Sequence, residues 1–187
     1  QVHEATLADG REVVVKVRRP GLMELIADDT AILARLAAAG QALDARLRAM
    51  DLVGMVREFR ASLYRETDMV LEGQTIRRFR DPLTDIEGLW IPDVVKEYTT
   101  SEVLTMEHSP GVRIDRYAEA HPEARTELAE RVATLVLHQV FETGLFHADP
   151  HPGNVFVLPD GRLCLHDFGM IGELDPPTIE SLTDVMR

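Results

Sequence analysis

The segment FHADPHPGNVFVLPDGRLCLHDFG, Phe146 to Gly169, gathers three histidines and three aspartates in an otherwise Ala- and Leu-rich chain. Metal ligation, phosphoryl transfer and a polar turn without chemistry are the three readings open to it. His147-Ala148-Asp149 begins the cluster, Asn154 follows in the same loop, and Asp167 comes after one further strand-turn-strand unit, in Asp167-Phe168-Gly169. Phosphoryl transfer builds charge on oxygens, and Mg²⁺ neutralises that charge only where hard oxygen ligands fix it beside the phosphates. Asn154 and Asp167 are such ligands. A tight hairpin between them would bring both to one end of a strand pair, within reach of a single ion.

The same order occurs in protein kinases, where H-R-D-x-x-x-x-N supplies an acid-base Asp and a metal-holding Asn, and the D-F-G Asp holds metal too. Either tripeptide alone carries little weight; the joint spacing carries much more. A 2-His-1-carboxylate iron site is a rival, because His147-x-Asp149 with a later His is a ligand spacing used by some oxygenases. It leaves Asn154, Asp167 and Lys16 without a role. Lys16 is the second test, since a buried strand Lys is rare unless its ammonium reaches a partner. It shares one strand face with Val14, while Val13, Val15 and Val17 share the other. In the kinase motif V-A-I-K this Lys grips the α- and β-phosphates and pairs with a helix Glu. Glu66 is the expected counter-ion here and Glu58 a weaker alternative.

These residues need elements to hold them. QVHEATLADGREVVVKV reads as two strands joined at Asp9-Gly10. Leu22 to about Met50 is helical, with Leu25, Ile32, Leu33, Leu36, Leu43 and Leu47 as its apolar positions and Gly40 as its break. Asp51 caps a second helix expected to run to about Phe79. On it Leu52, Val56, Phe59, Leu63 and Val70 form one stripe that also contains Glu66, a carboxylate that needs a cation if it faces the core. Two β-type runs follow, about Ile91 to Tyr98 and Glu102 to Glu107, then a hinge at Ser109-Pro110-Gly111. A third helix, about Pro122 to Glu142, ends at Thr143-Gly144 and buries Leu128, Val132, Leu135, Val136, Gln139 and Val140. Short strands at Val155 to Leu158 and Arg162 to Leu165 are joined through Asp160-Gly161. This order suits an α+β protein with a small sheet lobe ahead of a helical one.

Composition narrows the function classes. The 187 residues suffice for one ordinary domain or two small lobes. A content of 45% hydrophobic and 28% charged residues is a globular balance. A net charge of −12 argues against general nucleic-acid binding, which depends on Lys and Arg at phosphates. Cys164 is the single cysteine, which fits a reducing compartment. No apolar run is long enough to span a bilayer and no signal peptide is visible, so the chain reads as cytoplasmic or as the cytoplasmic part of a larger protein. The missing initiator Met and the stop inside an amphipathic pattern at Met186-Arg187 suggest a fragment.

The segments QVHEATLADGREVVVKVRRPG, LYRETD, IPDVV, VLTMEH, GVRID, FHADPHPGN and DFGMIG together resemble the UbiB (AarF/ADCK) family of atypical kinase-like proteins, from Gln1 to Gly172. The resemblance implies a two-lobed protein-kinase-like fold, truncated at both ends, with residues 1–108 as amino-terminal lobe and 109–187 as partial carboxy-terminal lobe. It implies ATP and Mg²⁺ as ligands, Lys16 on the phosphates, Glu107 and His108 beside the nucleotide, Asp149 as acid-base and Asn154 and Asp167 as metal ligands. Glu66 falls in the family's R-E-A-like helix motif, and His147 braces the loop. It also implies a link to ubiquinone or other isoprenoid-lipid biosynthesis, often at a membrane and with the full-length protein on its cytoplasmic face. The family's Ala-rich nucleotide loop and K-x-G-Q extension should lie ahead of Gln1, and Arg60-Ala61-Ser62 stands where a Glu-x-Asp pair is usual. Little or no hydrolysis is therefore expected of residues 1–187 alone. A pseudokinase nucleotide-binding module is the alternative, and an aminoglycoside-type small-molecule kinase a more distant one.

Overall fold

The computed structural model describes residues 1–84 and 86–185, so Met186 and Arg187, where the amphipathic pattern breaks off, lie outside the described residues. Strands β1 (Val2–Thr6) and β2 (Glu12–Val17) form the expected hairpin. Its turn uses Gly10 at φ 88°, and the Asp9 carboxylate receives the Arg11 backbone N–H at 3.1 Å. Helices α1 (Leu22–Leu43), α2 (Ala45–Ala49), α3 (Leu52–Glu66) and α4 (Met69–Arg80) follow. Then come β3 (Leu89–Trp90), β4 (Val103–Glu107), β5 (Val112–Arg113), α5 (Ile114–Ala120) and α6 (Arg125–His138), the last extended by a π-helical turn over Gln139–Thr143. Strands β6 (Leu145–His147), β7 (Val155–Val157), β8 (Leu163–Leu165) and β9 (Ile171–Glu173) precede α7 (Pro176–Val185).

Among the described residues the strands form three sheets. β1-β2-β4 is antiparallel, β3-β8-β7-β5 is mixed, and β6-β9 is a two-stranded ribbon. The first sheet packs against α4 through Leu104, which is fully buried, and the core continues through Ile76, Phe79 and Leu83 to Val155, Leu163, Leu165 and Phe168 of the later strands. β3 lies before residue 108 in sequence but joins the second sheet beside β8. The fold is the expected α+β, kinase-like arrangement.

Two helical expectations need correction. The break after α1 falls at Asp44, not Gly40. Asp44 is extended (φ −134°, ψ 124°), and its carboxylate caps α2 by accepting the Arg46 N–H at 2.7 Å. Of the apolar positions on α1, Leu25, Ile32, Leu36 and Leu43 are all more than half exposed, and the buried positions are Ile26, Thr30 and Ala37. α1 packs against α3, whose buried residue is Gly54. Nor is there one helix from Asp51 to Phe79. Thr67 ends α3, and Asp68 starts α4 by accepting the Val70 N–H at 2.9 Å. The turn reorients the chain, so Phe59 is left 51% exposed while Met69, Glu72, Gly73, Ile76 and Phe79 become the inward face.

The run expected as a strand from Ile91 to Tyr98 is mostly irregular. Val94 makes an isolated bridge to Met106, and Lys96–Tyr98 is a 3₁₀ turn. The expected buried face of the third helix holds: Leu128, Leu135 and Gln139 are buried, and Val132, Val136 and Val140 half-buried.

Candidate active site

Lys16 is placed by register. It sits opposite Leu104 in the β2–β4 pairing, in the middle of the first sheet. Its ammonium donates to Glu72 Oε1 at 2.7 Å and lies 3.6 Å from Asp167 Oδ1. The Glu72 side chain is only 6% exposed, and a carboxylate so shielded requires a paired cation. The expected pairing of Lys16 with Glu66 is therefore corrected to Glu72. Glu66 is exposed at the last turn of α3, where its Oε1 accepts from Ser62 Oγ at 3.2 Å. Glu58 is exposed as well. The break at Thr67–Asp68 is the cause, since it ends α3 at Glu66 and starts α4, whose buried face carries Glu72. The signal for Glu72 was present in the sequence: Asp68 is a good N-cap, and Met69, Glu72, Gly73, Ile76 and Phe79 repeat at three-to-four spacing.

The two late loops are positioned by strand pairing. β7 and β8 bring Val155 opposite Leu165, and β6 and β9 bring His147 opposite Ile171. Both connecting loops thus emerge at the same end. They are tied together where the backbone N–H of His166 donates to Asn154 O at 2.8 Å and that of Ala148 to Met170 O at 3.1 Å. Asn154 is buried, and its Nδ2 donates to Asp149 O at 3.1 Å, closing the loop on itself. Asp167 takes a left-handed backbone (φ 56°), unusual outside glycine, which lifts its carboxylate to 58% exposure next to Lys16. The next residue, Phe168, is buried against Phe79 of α4 and His147.

His147 joins the loops, as expected of a brace. Its Nε2 donates to His166 O at 2.9 Å while Nδ1 accepts the Asp149 N–H at 3.2 Å. Its own backbone N–H donates to Oε1 of Gln139, a fully buried side chain of the π-helical turn. With both ring nitrogens occupied, His147 is not free to be an iron ligand, which removes the two-histidine reading. Gln139 was expected only as part of a buried face; the irregular turn that aims its amide at β6 has no local signature.

A cleft of about 630 Å³ lies between the first sheet and the late loops. Lys16, Glu72, His108, Ser109, His166 and Asp167 are among its lining residues. Glu107 is not: its Oε2 accepts the Asp93 N–H at 2.9 Å, and the side chain lines a separate groove with Arg77 and Arg80. Burial lowers the His166 pKa to about 4, so the ring is neutral and bonds Ser109 Oγ at 2.8 Å. Burial likewise pushes the Cys164 thiol up to about 12, which makes it unreactive.

The ABC1 atypical kinase-like domain profile matches residues 1–187. An uncharacterized protein of Synechocystis is 41% identical over the whole chain, which covers 32% of that protein. The chloroplastic protein named activity of bc1 complex kinase 7 of Arabidopsis thaliana is 38% identical over 99% of the chain and 27% of its own length. The probable protein kinase UbiB of Cellvibrio japonicus is 39% identical over 84% of the chain and 29% of its own length. Among solved structures, an erythromycin complex of a Mycobacterium tuberculosis protein superposes with a TM-score of 0.78 at 31% identity, covering 92% of this chain and 43% of that one. The chain thus spans about a third or less of these three curated relatives.

Proposed function

Because the chain belongs to the ABC1 atypical kinase-like family, we propose that its cleft binds ATP with magnesium and that the protein is a phosphotransferase or ATPase of the UbiB type. The observation that carries this reading is the Lys16 ammonium held between the buried Glu72 and the raised Asp167. Glu72 fixes the ammonium at the cleft and leaves it donors for phosphate oxygens. The donor set also suits a hard cation. Asp167 offers an exposed carboxylate, and Asn154 Oδ1 has no protein hydrogen bond among the described residues. Magnesium, when bound, supplies charge neutralisation at the phosphates. Asp149, with its side chain 49% exposed in the loop, is the group to accept the proton of the attacking hydroxyl or water. His147 and Gln139 keep that loop in register with Asp167.

Isoprenoid-lipid biosynthesis, ubiquinone included, is the proposed setting, on the strength of the likeness to UbiB. No helix among the described residues is long and apolar enough to cross a membrane. Attachment of the full-length protein at the cytoplasmic face of a membrane is part of the same proposal.

Phosphate release by the full-length protein, with and without lipid vesicles, tests the assignment beside an Asp167→Asn variant. Turnover should fall about 100-fold or more. Turnover that survived the substitution would remove Asp167 from the metal site, and nucleotide-dependent thermal stabilisation without any turnover would make the domain a nucleotide-binding regulator instead.

A further inference from the structure

His151 has no part in the reaction outlined above, yet the loop is shaped around it. Its Nδ1 accepts the Gly153 backbone N–H at 2.9 Å. A neutral imidazole whose Nδ1 is an acceptor carries its proton on Nε2. That Nε2 faces Asp149, 3.7 Å from Oδ2. Gly153 has a steric reason for its identity: a Cβ there would collide with Cε1 of the His151 ring and lie 2.8 Å from its Nδ1. The ring therefore lies against the backbone at 153, and a side chain there would push it aside. The side chains of His151 and Asp149 are about half exposed, 55% and 49%, so burial does not explain the arrangement.

We propose that His151 is a positioning residue for Asp149, its Nε2–H orienting the carboxylate that accepts the proton during transfer. The proposal rests on the assignment of Asp149 as the proton acceptor. The separation of 3.7 Å is longer than a hydrogen bond. Contacts of this kind tighten on substrate binding, and a shift of about 1 Å closes it. His147 holds the Asp149 backbone from one side while His151 faces the carboxylate from the other, so the loop constrains both ends of the residue.

The test uses the full-length protein and ATP hydrolysis, with kcat and KM measured separately. His151→Ala should lower kcat about 10-fold, a fraction of the ~10²–10⁴ that a general base contributes, and leave KM for ATP within about 2-fold. His151→Gln, whose terminal amide can donate from near the Nε2 position, should recover most of the loss, and His151→Asn should not. Gly153→Ala should reproduce the His151→Ala defect by displacing the ring, and the double variant should be no worse than either single one. A rise in KM with unchanged kcat would make His151 a phosphate contact and overturn the proposal.

Two variants separate the positioning role from the assignment beneath it. If Asp149→Asn retained turnover, both would fall. If Asp149→Asn abolished turnover while His151→Ala did not affect it, the positioning role alone would fall. Long-range ¹H–¹⁵N correlation of the histidine rings decides independently of activity. The His151 resonances should report the Nε2–H tautomer and shift in Asp149→Asn, and an Nδ1–H tautomer would refute the geometry.

Discussion

Replacing Glu72 by alanine leaves the Lys16 ammonium without its closest partner in a site that is partly closed to water. The Lys16 side chain is 26% exposed and that of Glu72 6%, so the pair is well shielded on one side and moderately on the other. Breaking a fully buried pair costs about 3–5 kcal/mol, and an exposed pair is worth about 0.2–1 kcal/mol. Asp167, 3.6 Å from the same ammonium, compensates part of the loss. A cost of about 2 kcal/mol follows, which for a domain of this size lowers the thermal midpoint by about 4–8 °C. Urea unfolding of the wild type, Lys16→Met, Glu72→Leu and the double variant would give the pair's coupling energy directly, expected at about 1 kcal/mol or more. Glu66→Ala is the control. It removes an exposed carboxylate and should change stability by less than about 0.5 kcal/mol. Equal costs for Glu66 and Glu72, or a coupling near zero, would refute the assignment of Glu72 as the counter-ion.

Gln139→Leu should cost about 1–3 kcal/mol in denaturant unfolding, because it strips the His147 N–H of its acceptor inside the core. A Cβ at Gly172 would collide with the Phe146 ring across the β6–β9 pair. Gly172→Ala should therefore destabilise by about 1–3 kcal/mol, and Phe146→Leu in the same chain should recover part of that. His166 is half-buried and desolvation lowers its pKa to about 4, so the unfolded chain takes up its proton first as pH falls. Stability of the metal-free protein should be intact above about pH 6.5 and decline between about 6.5 and about 4 by up to roughly 3 kcal/mol at this site, and His166→Gln should flatten that slope in pH-dependent melts. Cys164 should resist a thiol reagent in the native state and react only on unfolding, as measured by the rate of labelling.

Much of the candidate site is legible in the chain itself because its residues are local. Asp149, Asn154 and Asp167 flank a single strand-turn-strand unit, and both hairpin turns, Asp9-Gly10 and Asp160-Gly161, have the glycine their positive φ demands. Alternation along β2 separates Lys16 from Val13, Val15 and Val17 before any partner strand is known. The partner of Lys16 is a different matter, since 56 residues separate it from Glu72 and one misplaced helix end reassigns the carboxylate. Periodicity continues smoothly through Thr67–Asp68; the capping bond at Asp68 and the packing of Ile76 and Phe79 with Leu104 break it. On α1 the apolar spacing marks a helix but not its covered face, since the buried positions there include the small side chains of Thr30 and Ala37. Side-chain types, strand phase and turn chemistry are properties of neighbours in sequence, so the chain alone determined them. Which carboxylate is shielded from water, which helix face is covered and which loop ends meet depend on burial by distant segments, and only the tertiary structure decided them.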